Sequence, residues 1–188
     1  MDTQYTINYN LDHSGGTSVV SASEVTNYVK QISGITAEDA LISSILAAGL
    51  DEAERMTMQQ LYTSVDVEAF VDVDEPSSDG AYEIILPFGN STIAALDSIS
   101  AIDRDGDAVT VDSTDYRLKG NTLILKMTGV YGYRFTITYT ATVTEANLAR
   151  FKEVILAFLG HKYMFRSTKD VKKEVELLEP IIDYKGWM

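Results

Sequence analysis

The chain has 188 residues with 15 basic and 28 acidic side chains, a formal net charge of −13. It contains no cysteine, which excludes disulfides, thiolate metal ligands and cysteine nucleophiles. The sequence has no apolar run of about 18 residues that could cross a membrane, and its polar start lacks the pattern of a signal peptide. We therefore expect a folded product of the cytoplasm.

The acidic charge is uneven along the chain. Residues 1–75 hold 13 acids and 2 bases, whereas residues 144–188 hold 7 acids and 8 bases. Because DNA-binding surfaces are basic, the first part is not expected to bind nucleic acid tightly. The charge is explained either by solubility or by a surface that repels DNA or meets a basic partner.

The first 62 residues predict an arm and two helices. Residues 1–20 have few periodic apolar positions and include Ser14-Gly15-Gly16-Thr17, so we expect a flexible N-terminal arm. Ser21 and Glu24 form a capping box that predicts a helix over 21–31. A longer helix is predicted over 37–62, because its apolar residues recur at three and four.

A β-module is predicted over residues 65–142, where the pattern changes to period two. Asp105-Gly106 is typical of a hairpin turn, since both residues tolerate positive φ. The last strand ends at Thr142. Its apolar face, which we expect to lie in the core, comprises Tyr131, Tyr133, Phe135, Ile137 and Tyr139.

The helical period then returns. Thr142 and Glu145 match a second capping box, which predicts helices over 145–165 and 169–179, the latter ending before Pro180. Residues 180–188 form a predicted C-terminal arm. The fold class is therefore α+β, with a helical bundle of two N-terminal and two C-terminal helices and an inserted antiparallel β-module. The bundle and its insert make one domain over 21–179.

No group of residues in the sequence matches a known active site. The two histidines, His13 and His161, lack carboxylates at metal-ligand spacing. The acidic stretch 103–107 fails the calcium-loop spacing, so we interpret it as a solvated turn, with a weak cation site as the alternative. We therefore expect no catalytic residue, metal or cofactor.

The C-terminal region carries the candidate interaction residues. Lys169, Lys172 and Lys173 form a basic cluster, either a solvated helix face or a docking site for an acidic surface. The tail holds Trp187, the only tryptophan. Apolar terminal segments must be covered, either by their own domain or by a neighbouring subunit.

The order and spacing of several short segments resemble the head–tail connector (neck adaptor) family of tailed bacteriophages, over roughly residues 20–180. These segments are ITAEDALI at 35–42, IILP at 84–87, LDSISAI at 96–102, STDYRL at 113–118, FTITYTA at 135–141, FKEVILA at 151–157 and VELLEP at 175–180. Each segment is degenerate by itself, so the resemblance depends on their order.

The resemblance implies a non-enzymatic virion protein of the neck, made in the host bacterial cytoplasm. It implies a ring of about twelve copies that docks on the portal protein and meets a stopper or tail-completion protein. DNA would pass through the lumen without specific binding. The portal-facing candidates are Lys169, Lys172, Lys173, Ile181, Ile182, Tyr184 and Trp187, and the acidic lumen candidates are Glu38, Asp39, Glu52 and Glu54.

Three other interpretations stay open at this point. The chain is a stopper or tail-completion protein of the same particle, or a binding module whose β-insert recognises a ligand or surface. A binding module predicts that Tyr131, Tyr133 and Tyr139 are exposed, whereas core packing predicts them buried. The third is an enzyme with carboxylate chemistry, which requires two acids brought together in a cleft.

Overall fold

The computed structural model describes residues 5–34, 39–73, 81–88, 90–126, 134–165 and 170–182, with Asp39 described for its backbone only. The chain forms two compact units. We call Met1–Gly16 with Ser64–Thr142 the β unit, and Thr17–Thr63 with Val143–Met188 the helical unit. The mixed α+β class and the antiparallel β-module are confirmed.

The described part of the helical unit contains five helices around one apolar core. They are α1 (Ala22–Ser33), α2 (Asp39–Thr57), α3 (Glu145–Leu148), α4 (Lys152–Met164) and α5 (Val171–Ile182). Helices α1 and α5 each pack against both α2 and α4. The apolar stripes predicted from the sequence therefore meet in this core.

The capping box that starts α1 is confirmed. The Ser21 hydroxyl accepts a hydrogen bond from the Glu24 backbone N–H, and the Glu24 carboxylate accepts one from the Ser21 N–H at 2.9 Å. The helix runs to Ser33, two residues past the predicted end, because Gly34 supplies the left-handed residue (φ 69°) that ends it.

Helix α2 ends earlier than predicted. The prediction of a helix to residue 62 is wrong, because Met58 takes a left-handed conformation (φ 53°) directly after Thr57. The next three residues, Gln59 to Leu61, are buried although they are not helical. Burial of this segment requires partners for its backbone, and one of these is the Glu54 side chain, described below.

The second predicted capping box is wrong in its first residue. Thr142 belongs to the last strand, and it is Thr144 whose hydroxyl accepts from the Asn147 N–H at 3.3 Å. The predicted helix 145–165 is also divided into α3 and α4. The division occurs at Phe151, which is buried in the core and donates its N–H to Leu148 O at 2.9 Å.

Helix α5 continues through Pro180 to Ile182, so the predicted end before the proline is wrong. Proline removes one backbone hydrogen bond but keeps a helical φ, and it lies in the last turn on the exposed side. Ile181, one residue later, is buried in the core and holds this turn in place. Residues 183–188 of the predicted C-terminal arm lie outside the described residues.

The described part of the β unit contains two antiparallel sheets. Their strands are β1 (Tyr5–Asp12), β2 (Ser64–Val73), β3 (Ala81–Ile85), β4 (Thr92–Ile102), β5 (Ala108–Val109), β6 (Tyr116–Lys119), β7 (Thr122–Lys126) and β8 (Arg134–Thr142). The sheet orders are β1-β2-β8-β4-β5 and β3-β7-β6. Asp105-Gly106 forms the predicted turn between β4 and β5, with Gly106 at φ 89°.

The prediction of a flexible arm over residues 1–20 is wrong for Tyr5–Asp12. This segment is strand β1, which pairs with β2 from Tyr5↔Val73 to Asp12↔Asp66. Its alternating apolar residues are half-buried, and the Tyr5 hydroxyl accepts from the Ile85 N–H at 2.8 Å. The period-two pattern of YTINYNLD explains the strand.

The apolar face predicted for the last strand is confirmed where it is described. Phe135, Ile137 and Tyr139 are buried, and burial raises the pKa of the Tyr139 hydroxyl. Tyr131 and Tyr133 lie outside the described residues. The burial of Tyr139 does not fit the binding-module interpretation, which predicted this tyrosine at the surface.

Candidate interaction surface

The acidic residues predicted to line a lumen do not form an exposed row on α2. Glu54 is fully buried (0% exposed), so its assignment to a lumen is wrong. Glu52 is partly buried and pairs with Lys162 at 2.7 Å. Glu38 and the Asp39 side chain lie outside the described residues. The burial of Glu54 and the pairing of Glu52 therefore give no support to an acidic surface on α2.

Glu54 has a structural role instead. Its Oε1 accepts a hydrogen bond from the Leu61 backbone N–H at 2.6 Å. This bond closes the buried turn that follows α2, where Met58 also donates its N–H to Glu54 O at 2.8 Å. Burial, together with the negative charges of Glu54 and Asp51, raises the pKa of Tyr62 to about 12. The carboxylate thus stabilises the chain reversal.

The negative charge is concentrated in the β unit. Its two segments hold 15 acidic and 5 basic side chains, a net charge of −10, whereas the helical unit has 13 acids and 10 bases, a net charge of −3. The acids of residues 1–75 are divided almost equally, with 7 in the β unit and 6 in the helical unit, and the β unit gains 8 more from residues 76–142.

Part of this charge lies on the solvent-facing side of the five-stranded sheet. Cross-strand hydrogen bonds join Asp66 to Thr140 at 2.8 Å and Glu68 to Asn10 at 3.3 Å. Arg134 pairs with Asp72. The core side of the same strands is apolar and buried. The sheet thus presents a polar face with more acids than bases.

The predicted portal-facing residues differ in whether they are buried or exposed. Ile181 is fully buried, so its assignment to a partner is wrong: it packs in the core of its own unit. Ile182 is 39% exposed, and Lys172 and Lys173 are exposed. Lys173 pairs within α5 with Glu176 at 3.2 Å. Lys169, Tyr184 and Trp187 lie outside the described residues.

Helix α5 carries an exposed apolar stripe, of which only Ile182 was among the candidates predicted from the sequence. We call Val171, Val175 and Ile182 the α5 stripe; they are 51%, 42% and 39% exposed. Within the described residues of the helical unit, four further large apolar side chains are exposed, namely Ile32, Met58, Met164 and Phe165. The signal was the spacing of the valines and the isoleucine, which places them beside the buried positions of α5 rather than among them.

Helix α5 is held against its neighbours by a charged cluster as well as by apolar packing. Lys162 Nζ of α4 lies 2.7 Å from Glu52 of α2 and 3.0 Å from Glu174 of α5. Burial lowers the pKa of Lys162, but hydrogen bonds to the two carboxylates outweigh it and raise the pKa above its usual value. The α5 stripe is thus presented on a helix that is fixed at its inner face.

Neither histidine is found with a metal-ligand set. His161 lies near the end of α4 with its ring centroid 4.7 Å from that of Phe165. Among the described residues, no three side chains of His, Asp or Glu lie close enough together to hold a metal ion. Asp103 Oδ1 accepts from the N–H groups of Asp105 and Asp107, each at 2.9 Å, so this acid organises its own turn.

None of the helices over the described ranges is sufficiently long and apolar to span a membrane.

Comparison with known proteins does not assign the chain to a family. A scan against models of protein families finds no match. A search of curated proteins finds no match either.

Proposed function

We propose that the chain is a structural head–tail connector of a tailed phage, found in the neck of the virion and without catalytic activity. About twelve copies form a ring that docks on the portal protein and joins it to a stopper or tail-completion protein. The proposal is supported by the order of the segments that resemble this family and by the α5 stripe, which is the observation that carries it.

The α5 stripe has the properties of a docking surface. When a partner covers exposed apolar side chains, the free energy of the complex is lowered. The helix is already held in place, so little conformational entropy is lost on binding. Lys172 lies beside the stripe on the same helix and adds a positive charge that suits an acidic partner surface, whereas Lys173 pairs with Glu176. Residues 183–188, which contain Tyr184 and Trp187, continue from the end of this helix.

The helices that support the stripe act, in this proposal, as one bundle. Helices α1 and α2 from the N-terminal half and α4 and α5 from the C-terminal half form its four walls, and α3 is a short connecting turn. The packing of α1 and α5 against both α2 and α4 supports this arrangement. A bundle of this kind gives the docking helix a rigid base.

The β unit is the part that we propose to face DNA. Its net charge of −10 and the polar outer face of its larger sheet would repel phosphate groups, so that DNA slides without adhering. This assignment replaces the α2 acids, since Glu54 is buried and Glu52 is paired with Lys162.

Docking is tested by the mass of the complex with a candidate portal ring, measured by light scattering after chromatography. The wild-type chain should join the portal in a fixed ratio near one copy per portal subunit. Val175→Asp should lower the affinity about a hundredfold, since it places a charge in the apolar contact. Ile85→Asp is the matched control, because Ile85 is 65% exposed but lies in the β unit.

The outcomes distinguish a wrong docking surface from a wrong function. If neither variant affects a complex that does form, the α5 stripe is not the docking surface. If the wild-type chain joins no portal at any salt concentration, the connector proposal fails.

A further inference from the structure

The α5 stripe is bordered on one side by two opposite charges. At about 100° per residue, Val171, Val175 and Ile182 lie within about 40° of one another around the helix. Lys172 and Glu179 follow on the same flank, within about 60° of Val175. The opposite flank of the stripe consists of the buried residues Leu178, Glu174 and Ile181. The open flank is therefore defined by one base and one acid.

Lys172 and Glu179 are placed so that they do not satisfy each other. They lie about 10 Å apart along the helix axis, near its two ends. Both are exposed, and within the described part of the chain neither side chain has a hydrogen bond or an ion pair. By contrast, Lys173 and Glu176, which lie farther around the helix from the stripe, pair with each other at 3.2 Å.

We propose that the α5 stripe packs against the α5 stripe of a second copy of this chain, antiparallel about a two-fold axis. In an antiparallel pair, Val171 of one copy is level with Ile182 of the other, and Val175 lies near the centre. Lys172 of each copy then faces Glu179 of its partner, which gives two ion pairs per dimer. A parallel pair would place the two Lys172/Glu179 flanks on opposite sides of the contact, so these charges would not meet.

The size of the surface determines how tightly the two copies are expected to bind. A helix of 12 residues is about 18 Å long and offers less area than the interface of a permanent dimer. The pair should therefore be a reversible dimer that forms at micromolar or higher concentrations. It would cover the docking surface until a stronger partner displaces the second copy. This last step rests on the proposed function, whereas the dimer itself does not.

The dimer is tested by sedimentation equilibrium of the full chain over a range of concentrations. Lys172→Glu and Glu179→Lys should each raise the dimer dissociation constant about tenfold, because each change turns two attractive pairs into repulsive ones. The double variant Lys172→Glu/Glu179→Lys should return it to near the wild-type value. The matched control is Lys173→Glu/Glu176→Lys, which exchanges an existing pair farther around the helix and should leave dimerisation unchanged.

Restoration by the double charge exchange would support the antiparallel pair, because Lys172 and Glu179 are too far apart within one helix to account for it. A chain that is monomeric at all concentrations would overturn the inference, even if it binds a portal ring. A second reading uses the fluorescence of Trp187, the only tryptophan. If Val175→Asp shifts its emission to the red without a change in mass, the chain's own tail covers the stripe and the dimer is wrong.

Discussion

Single residues of α2 show how far an acidic side chain can be interpreted from sequence. Glu54 follows Leu50 by one helical turn, so it falls on the apolar face that also contains Ala53. The spacing therefore contained a signal of burial, but net charge favoured a solvated surface. The turn that needs the carboxylate is set by Leu61 and Met58, whose conformation follows from tertiary packing and could not be predicted locally.

Replacing Glu54 by alanine should lower the free energy of unfolding by about 2 kcal/mol or more, since the buried Leu61 N–H loses its acceptor. Urea unfolding followed by circular dichroism measures this change. Asp51→Ala is the control, because Asp51 is about half exposed and makes only a surface pair with Arg55. Equal effects of the two substitutions would contradict a buried structural role for Glu54.

Glu24 predicts a defined dependence of stability on pH. Its hydrogen bond from Lys152, with further bonds from Ser21, lowers its pKa to about 2 from 4.5. A carboxylate with a lowered pKa contributes stability that is fully present above its unfolded value and is lost as the pH falls toward the folded value. The side chain is 37% exposed, so screening should limit the contribution to about 1 kcal/mol.

This dependence is measured as the stability difference between wild type and Glu24→Gln at several pH values. The difference should be constant at pH 6 to 7 and should narrow between about pH 4.5 and 2. In a Lys152→Met background the difference should be much smaller. A stability difference between wild type and Glu24→Gln that stays unchanged down to pH 2.5 would mean that the Lys152–Glu24 pair contributes nothing to folding.

At the scale of elements, patterns of several residues were predicted well and single-residue boundaries were not. The capping box at Ser21, the hairpin at Asp105-Gly106 and the alternation of β8 are local signals, and each is found in the structure. Strand β1 was missed because the glycines after it favoured an arm, although its own residues alternate. The end of α5 was missed because Ile181 makes a tertiary contact that outweighs the effect of Pro180.

Packing of α2 on α4 depends on Gly49. A Cβ at this position would lie 2.4 Å from Leu159 Cδ2, a buried core side chain. Alanine normally favours a helix over glycine by about 1 kcal/mol. Here we expect Gly49→Ala to destabilise the protein by about 1 to 2 kcal/mol, because the methyl group would collide with Leu159, whose side chain is packed in the core and would have to shift. Thermal unfolding measures it, with Ser44→Ala on the exposed side of α2 as the control. A stabilised Gly49→Ala variant would show that the helices separate easily.

At the scale of the whole molecule, the order of helices, strands and helices was sufficient to predict the α+β class. It was not sufficient to predict how charge is distributed, because residues 64–75, which hold five acids and no base, and strand β1 both belong to the β unit rather than to the first helices. The resulting unit carries −10 of the net charge of −13. The α5 stripe could not be found by hydropathy alone either, since its residues resemble those of the core and differ only in exposure.

The connector proposal is tested most directly by the mass of the complex that the wild-type chain forms with a candidate portal ring. We predict a complex with a fixed stoichiometry near one copy per portal subunit, and its loss in Val175→Asp but not in Ile85→Asp. A portal ring whose mass does not change on addition of the wild-type chain, at low and at physiological salt, would contradict the proposal.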